Sequence, residues 1–121
     1  MSTGDECPAV DRARTGADAW TEVVRHQRAA TTDHADFYAL AAEIVTTLHA
    51  LDDLAALLDE QVLRYPQGPT LYDDTRVVEP LARLDDAAAE IRAARSAIVT
   101  ASRAANRFWS LIGHIGIEVL S

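Results

Sequence analysis

DTRVVEPLARLDDAAAEIRAARSAIVTASRAANRFWSLIGHIGIE, residues 74–118, decides the fold. Its residues Val77, Leu81, Leu84, Ala88, Ile91, Ile98, Ala105, Trp109 and Ile112 recur on steps of three and four, with Arg95 and Ser102 at the interruptions. This spacing draws one apolar seam along a helix. If helical throughout, it would reach ~65 Å at ~1.5 Å per residue, far beyond the length of an ordinary globular helix. So long an amphipathic helix needs other helices packed along it.

The segment before it supplies one. Thr31, Thr32 and Asp33 are capping residues, and from His34 the apolar positions Phe37, Leu40, Ala41, Ile44, Leu48, Leu51, Leu54, Ala55, Leu58 and Val62 share a helix face, with Glu43, Asp52, Asp53, Asp59 and Glu60 outside it. Tyr65-Pro66-Gln67-Gly68-Pro69-Thr70 ends that helix, since each proline forces its predecessor out of the helical region. Pro80 is tolerated only in the first turn of a helix. The third helix therefore starts between residue 75 and Glu79, and Leu71 with Tyr72 is expected to fold over the hairpin end. No alternating pattern suggests a strand. The expected fold is all-α: a long antiparallel hairpin of about residues 34–65 and 75–113, with a short first helix of about 18–30, Trp20, Val23, Val24 and Gln27 forming its stripe. Residues 1–16, with two Gly, one Pro and few apolar side chains, read as a flexible tail before a single helical-bundle domain over 17–121.

A short connection places Arg95 near Glu43, and Arg107 near Asp33 and Asp36. In that register the second helix covers the third only back to Asn106. Residues 107–121 would then overhang, carrying Phe108, Trp109, Leu111, Ile112, Ile115, Ile117, Val119 and Leu120. That much apolar surface calls for a cover, and Trp20 and Val24 extend the same patch, so the expected interface is Trp20, Val24, Phe108, Trp109, Ile112 and Ile115. The simplest partner is a second copy, completing a bundle or coiled coil; another helical protein is the alternative. Ser110, Gly113 and Gly116 form a ridge of small residues that either admits a neighbouring helix or frays the end.

A net charge of −8 opposes binding to phosphate backbones and anionic membranes. All eleven basic residues are Arg, and with the abundance of Ala this suggests G+C-rich coding and a bacterial source. Cys7 is the only cysteine, which excludes an internal disulfide and a cysteine metal cage. The polar start lacks the apolar segment of a secretory signal, and no apolar run is long enough for a membrane span, so a cytoplasmic protein is expected.

Chemistry has no visible address. The histidines His26, His34, His49 and His114 form no Glu-x-x-His step, and Glu22 with His26 reads as a surface pair. No serine sits on a nucleophile elbow and no glycine-rich phosphate loop is present. No catalytic residue, metal or cofactor is therefore expected. Arg92, Arg95, Arg103 and Arg107 gather on one side of the third helix, a candidate face for an anion, an acidic partner or, in a nucleic-acid-associated bacterial complex, RNA. The acidic total and the lack of interleaved aromatics favour a solvated, ion-paired face instead. The expectation is a non-enzymatic interaction or assembly protein.

Overall fold

A computed structural model describes residues 7–65 and 71–118 of the chain. Three helices account for about four-fifths of it: α1 (Pro8–Ala29), α2 (His34–Arg64) and α3 (Pro80–Ile112), with no strand among the described residues. The helical class and the hairpin of long second and third helices are as the periodicity requires, and α2 and α3 pack along each other. The prolines and glycine at 66–70, residues 1–6 of the expected tail, and Val119 and Leu120 lie outside the described residues.

The chain divides into two units, one ending at Asp33 and one beginning at His34. In the first, α1 starts at Pro8, well before the expected Asp18, so residues 8–16 are helix rather than tail. Pro8 stands at the first helical position, where its fixed φ suits the helix and its missing N–H costs nothing. The Cys7 carbonyl accepts the N–H groups of Val10 at 3.0 Å and Asp11 at 3.3 Å, and Asp11 places a negative charge in the first turn. Gly16, one of the two glycines of the expected tail, is carried inside the helix. A Cβ there would meet nothing within 4 Å, so Gly16→Ala should stabilise α1 by about 1 kcal/mol; helicity by circular dichroism should rise and persist to higher temperature. Thr31 to Asp33 is a true break, since α1 ends at Ala29 and Ala30 is extended.

In the second unit the seam read from sequence is the packing seam from Leu84 onward. Ala88 is fully buried, and Leu84, Ile91, Ile98, Ala105, Trp109 and Ile112 are half-buried. Ser102 is no interruption: it is 8% exposed, a small side chain where the helices approach closely. Val77 falls off the seam at 86% exposed, because Pro80 sets the helix start and Val77 lies before it. Leu71 is half-buried as a lid residue should be, whereas Tyr72 is exposed, with the Arg76 guanidinium 4.2 Å from its ring centroid.

The connection is held by Asp73. Its carboxylate is buried, accepts hydrogen bonds from the Thr75 N–H (3.0 Å) and hydroxyl, and pairs with Arg83 Nε at 2.6 Å, tying the link to the first turn of α3. The Thr75 hydroxyl and Arg83 together lower the Asp73 pKa from 3.8 to about 2. A carboxylate depressed on folding contributes stability that is complete above its unfolded pKa and is lost as pH falls towards 2. Asp73→Asn should therefore lower the melting temperature at neutral pH and flatten its decline between about pH 4 and pH 2, read by thermal melts across that range.

This anchored link changes the register. Arg95 pairs with Asp52 rather than lying near Glu43, and Tyr38, near the start of α2, stacks against Trp109. The second helix thus covers the third to its end at Ile112, so residues 107–112 do not overhang as expected. The physical reason is that the link extends to Glu79 and α3 starts only at Pro80, which slides α3 along α2 relative to a tight turn. After Ile112 the chain leaves the helix: Gly113 and His114 turn, with Gly113 N–H bonded to the Trp109 carbonyl at 3.0 Å, and residues 115–118 have no regular structure.

Candidate interaction surface

Two long sides of the hairpin differ in chemistry. One carries ion pairs between the helices, Arg95 Nε to Asp52 Oδ1 at 2.8 Å and Arg92 Nε to Asp59 Oδ1 at 3.2 Å. These are partly exposed pairs, worth about 0.2–1 kcal/mol each, and they act mainly to fix the register. They also break up the candidate arginine face. Arg92 and Arg95 are committed to carboxylates on α2, which leaves Arg103 and Arg107 without an ion pair among the described residues. Two exposed guanidinium groups on a chain of net charge −8 make a poor nucleic-acid surface.

The other side is apolar. With Asp52 and Asp59 on the ion-paired side, the heptad steps Phe37, Ile44, Leu51 and Leu58, flanked by Leu40 and Leu54, turn to the opposite one. Phe37 and Leu40 are half-buried, but Ile44, Leu51 and Leu54 are 40%, 44% and 43% exposed. On α3 the equivalent positions are Ala87, Ala94 and Ala101, ending in Phe108 at 48% exposed. The side chains that the hairpin does bury are small: Ala41, Val45, Ala55 and Ala88, and no large side chain is fully buried among the described residues. Alanine between two helices lets them approach closely but removes little apolar area from water.

At the open end of the hairpin the Tyr38 and Trp109 rings lie 5.6 Å apart, tilted by 45°. Gly113 fits beneath them: a Cβ there would come within 3.1 Å of Tyr38 Cε2. A cleft of about 350 Å³ is lined by Tyr38, Asn106, Trp109, Ser110 and His114, and one of about 300 Å³ by His34, Tyr38, Ile112 and Ile115. The Trp109 indole N–H is buried with no hydrogen-bond partner among the described residues. Comparison of the chain with models of known protein families, with curated proteins and with solved structures found no match.

The six residues expected as one interface are divided between the two units. Trp20, half-buried, and Val24, exposed, belong to α1; Phe108 and Ile115, exposed, and Trp109 and Ile112, half-buried, belong to the hairpin. Sequence reasoning placed the uncovered apolar surface at the end of α3 and missed the longer one beside α2. The signal was present in Ile44, Leu51, Leu54 and Leu58, whose number exceeds what a single partner helix can cover. Of the histidines, His26 lies 3.9 Å from Glu22 on the surface of α1, His49 is exposed, and His34 and His114 line the clefts at the open end. Among the described residues, no three His, Cys, Asp or Glu side chains gather where they could hold a metal ion, and no helix is long and apolar enough to cross a membrane.

Proposed function

We propose that the chain is a non-enzymatic interaction and assembly protein that self-associates through the apolar side of its α2–α3 hairpin, most simply as a homodimer. One observation carries this reading: the hairpin buries alanines and a valine, while Ile44, Leu51 and Leu54 remain about two-fifths exposed. A hairpin with so thin a core gains most of its missing stabilisation by covering that side, at roughly 25 cal/mol per Å² of apolar surface removed from water. The open end, with Phe108, Trp109, Ile112 and Ile115, continues the same surface and supplies aromatic anchors of the kind that concentrate binding energy. The reading carries a bacterial, cytoplasmic setting, which rests on the Lys-free, Ala-rich composition and the absence of a long apolar run.

Light scattering over a concentration series tests it. The expected molar mass is a multiple of the 13.1 kDa chain mass, falling towards that mass on dilution. A mass of 13.1 kDa throughout the series overturns the reading.

A further inference from the structure

The ion-paired side of the hairpin changes character towards the open end. Along α2 that side follows Asp59, Asp52, Val45 and Tyr38 on steps of seven, so the carboxylates stop at Asp52. Along α3 it follows Arg92, Arg95, Arg103 and Arg107, so the cations continue. The register set by Asp52–Arg95 and Tyr38–Trp109 brings Arg103 and Arg107 level with the Tyr38–Val45 stretch of α2, and neither arginine has an ion pair among the described residues. Asp36 and Glu43, the acids in this part of α2, stand on another row, about 160° round the helix from Tyr38 and Val45. A chain of net charge −8 thus keeps a local excess of positive charge beside its open end.

The cleft of about 350 Å³ opens there, and no Asp or Glu lines it. The polar groups that do line it are largely unspent. Asn106 Nδ2 donates to the Ser102 carbonyl at 3.0 Å, which leaves its second amide hydrogen, and the side chains of Tyr38, Ser110 and His114 make no hydrogen bond among the described residues. Trp109, also in the lining, keeps a buried indole N–H without an acceptor among the described residues. A few polar groups converging beside aromatic surface are what fixes the orientation of a small ligand.

We infer that this cleft binds a small organic carboxylate with an aromatic body, its charge drawn by Arg103 and Arg107 and hydrogen-bonded by Ser110 and Asn106, its ring against Tyr38 and Trp109. The pattern of the ion-paired side selects the carboxylate: Arg92 and Arg95 each meet one supplied by α2, and Arg103 and Arg107 meet none. The Tyr38 and Trp109 rings, 5.6 Å apart and tilted by 45°, offer surface to a third ring. The C-terminus of α3 opposes an anion here and the N-terminus of α2 beside it favours one, so the two helix ends roughly offset and the arginines decide the sign. A phosphate dianion would bring a second charge for the net −8 to repel, which favours a monoanion. The site lies on the side of the hairpin away from Leu51 and Leu54 and does not depend on the proposed self-association.

Nuclear magnetic resonance of the isotope-labelled full-length chain tests this with sodium benzoate as the probe, sodium chloride being withdrawn in step to hold the ionic strength. The two tryptophans give two indole N–H signals, and Trp20→Phe assigns them. The Trp109 signal should move saturably, half-way at about 1 mM benzoate or below, while that of Trp20, which belongs to the other unit, stays in place. Benzamide, the same ring without the charge, should bind at least about tenfold more weakly, and so should benzoate to a chain carrying Arg103→Gln and Arg107→Gln. Both arginines are exposed, so this variant keeps its fold, which an unchanged circular dichroism spectrum checks. A Trp109 signal that stays still, or moves without saturating, overturns the proposal. Benzamide binding as tightly as benzoate overturns it too, as does the double variant binding benzoate like the parent.

Discussion

Leu51→Asp should abolish the proposed self-association while leaving the hairpin folded. Leu51 is 44% exposed in the single chain, so a carboxylate at this position stays hydrated and the helices keep their contact. In the proposed assembly the same carboxylate would lie on the apolar side of the hairpin, with no cation among Ile44, Leu54, Leu58, Ala87, Ala94 and Ala101 to receive it. Loss of the leucine's burial alone is worth about 1.5–3 kcal/mol, and the unpaired charge adds to it. A loss of about 3 kcal/mol weakens the dissociation constant by at least about a hundredfold. Light scattering should show the loss of mass, and far-ultraviolet circular dichroism should show the helices retained. Arg103→Ala, on a residue without an ion pair among the described residues, serves as the control and should leave the mass unchanged.

The second large effect concerns the hairpin itself. Ala88 is wholly buried where α3 meets α2, and the close approach of the helices there leaves no room for a longer side chain. Ala88→Leu should force the axes apart, at a cost of about 1–3 kcal/mol in unfolding free energy. In a unit of this size each 1 kcal/mol lowers the melting temperature by roughly 4–8 °C. Ala89→Leu adds the same atoms one residue on, where the side chain is exposed, and should stay within about 0.5 kcal/mol of the parent. A melting temperature unchanged by Ala88→Leu would show that the hairpin does not depend on the alanine contact.

Helix identity was legible in the sequence because the α2 and α3 seams run for many turns, and periodicity is strongest where it is longest. The register was not, because it depends on how many residues the link consumes. That length is set by Asp73 gathering Thr75 and Arg83 around one carboxylate, a tertiary arrangement with no periodic signature. The start of α1 was hidden by Gly16 and by an absence of large apolar residues; its helix has no buried residue, so no seam marks its extent. The alanines of α3 read as generic helix formers. Only their placement beside Ile44, Leu51 and Leu54 turns them into half of a surface. For the same reason the arginine cluster looked coherent in sequence, and dissolved once Asp52 and Asp59 took up two of its members.

The division of the hairpin into an ion-paired side and an apolar side makes its response to salt two-handed. Sodium chloride weakens the Asp52–Arg95 and Asp59–Arg92 attractions only slightly, because their separations of 2.8 and 3.2 Å are well inside the screening length of about 8 Å at physiological strength. Sulfate, excluded from protein surfaces, strengthens apolar burial and so favours the covered state of the other side. At equal ionic strength the two salts screen the ion pairs alike, so any difference between them reads the apolar side alone, as a higher molar mass in sulfate if that side is covered by association.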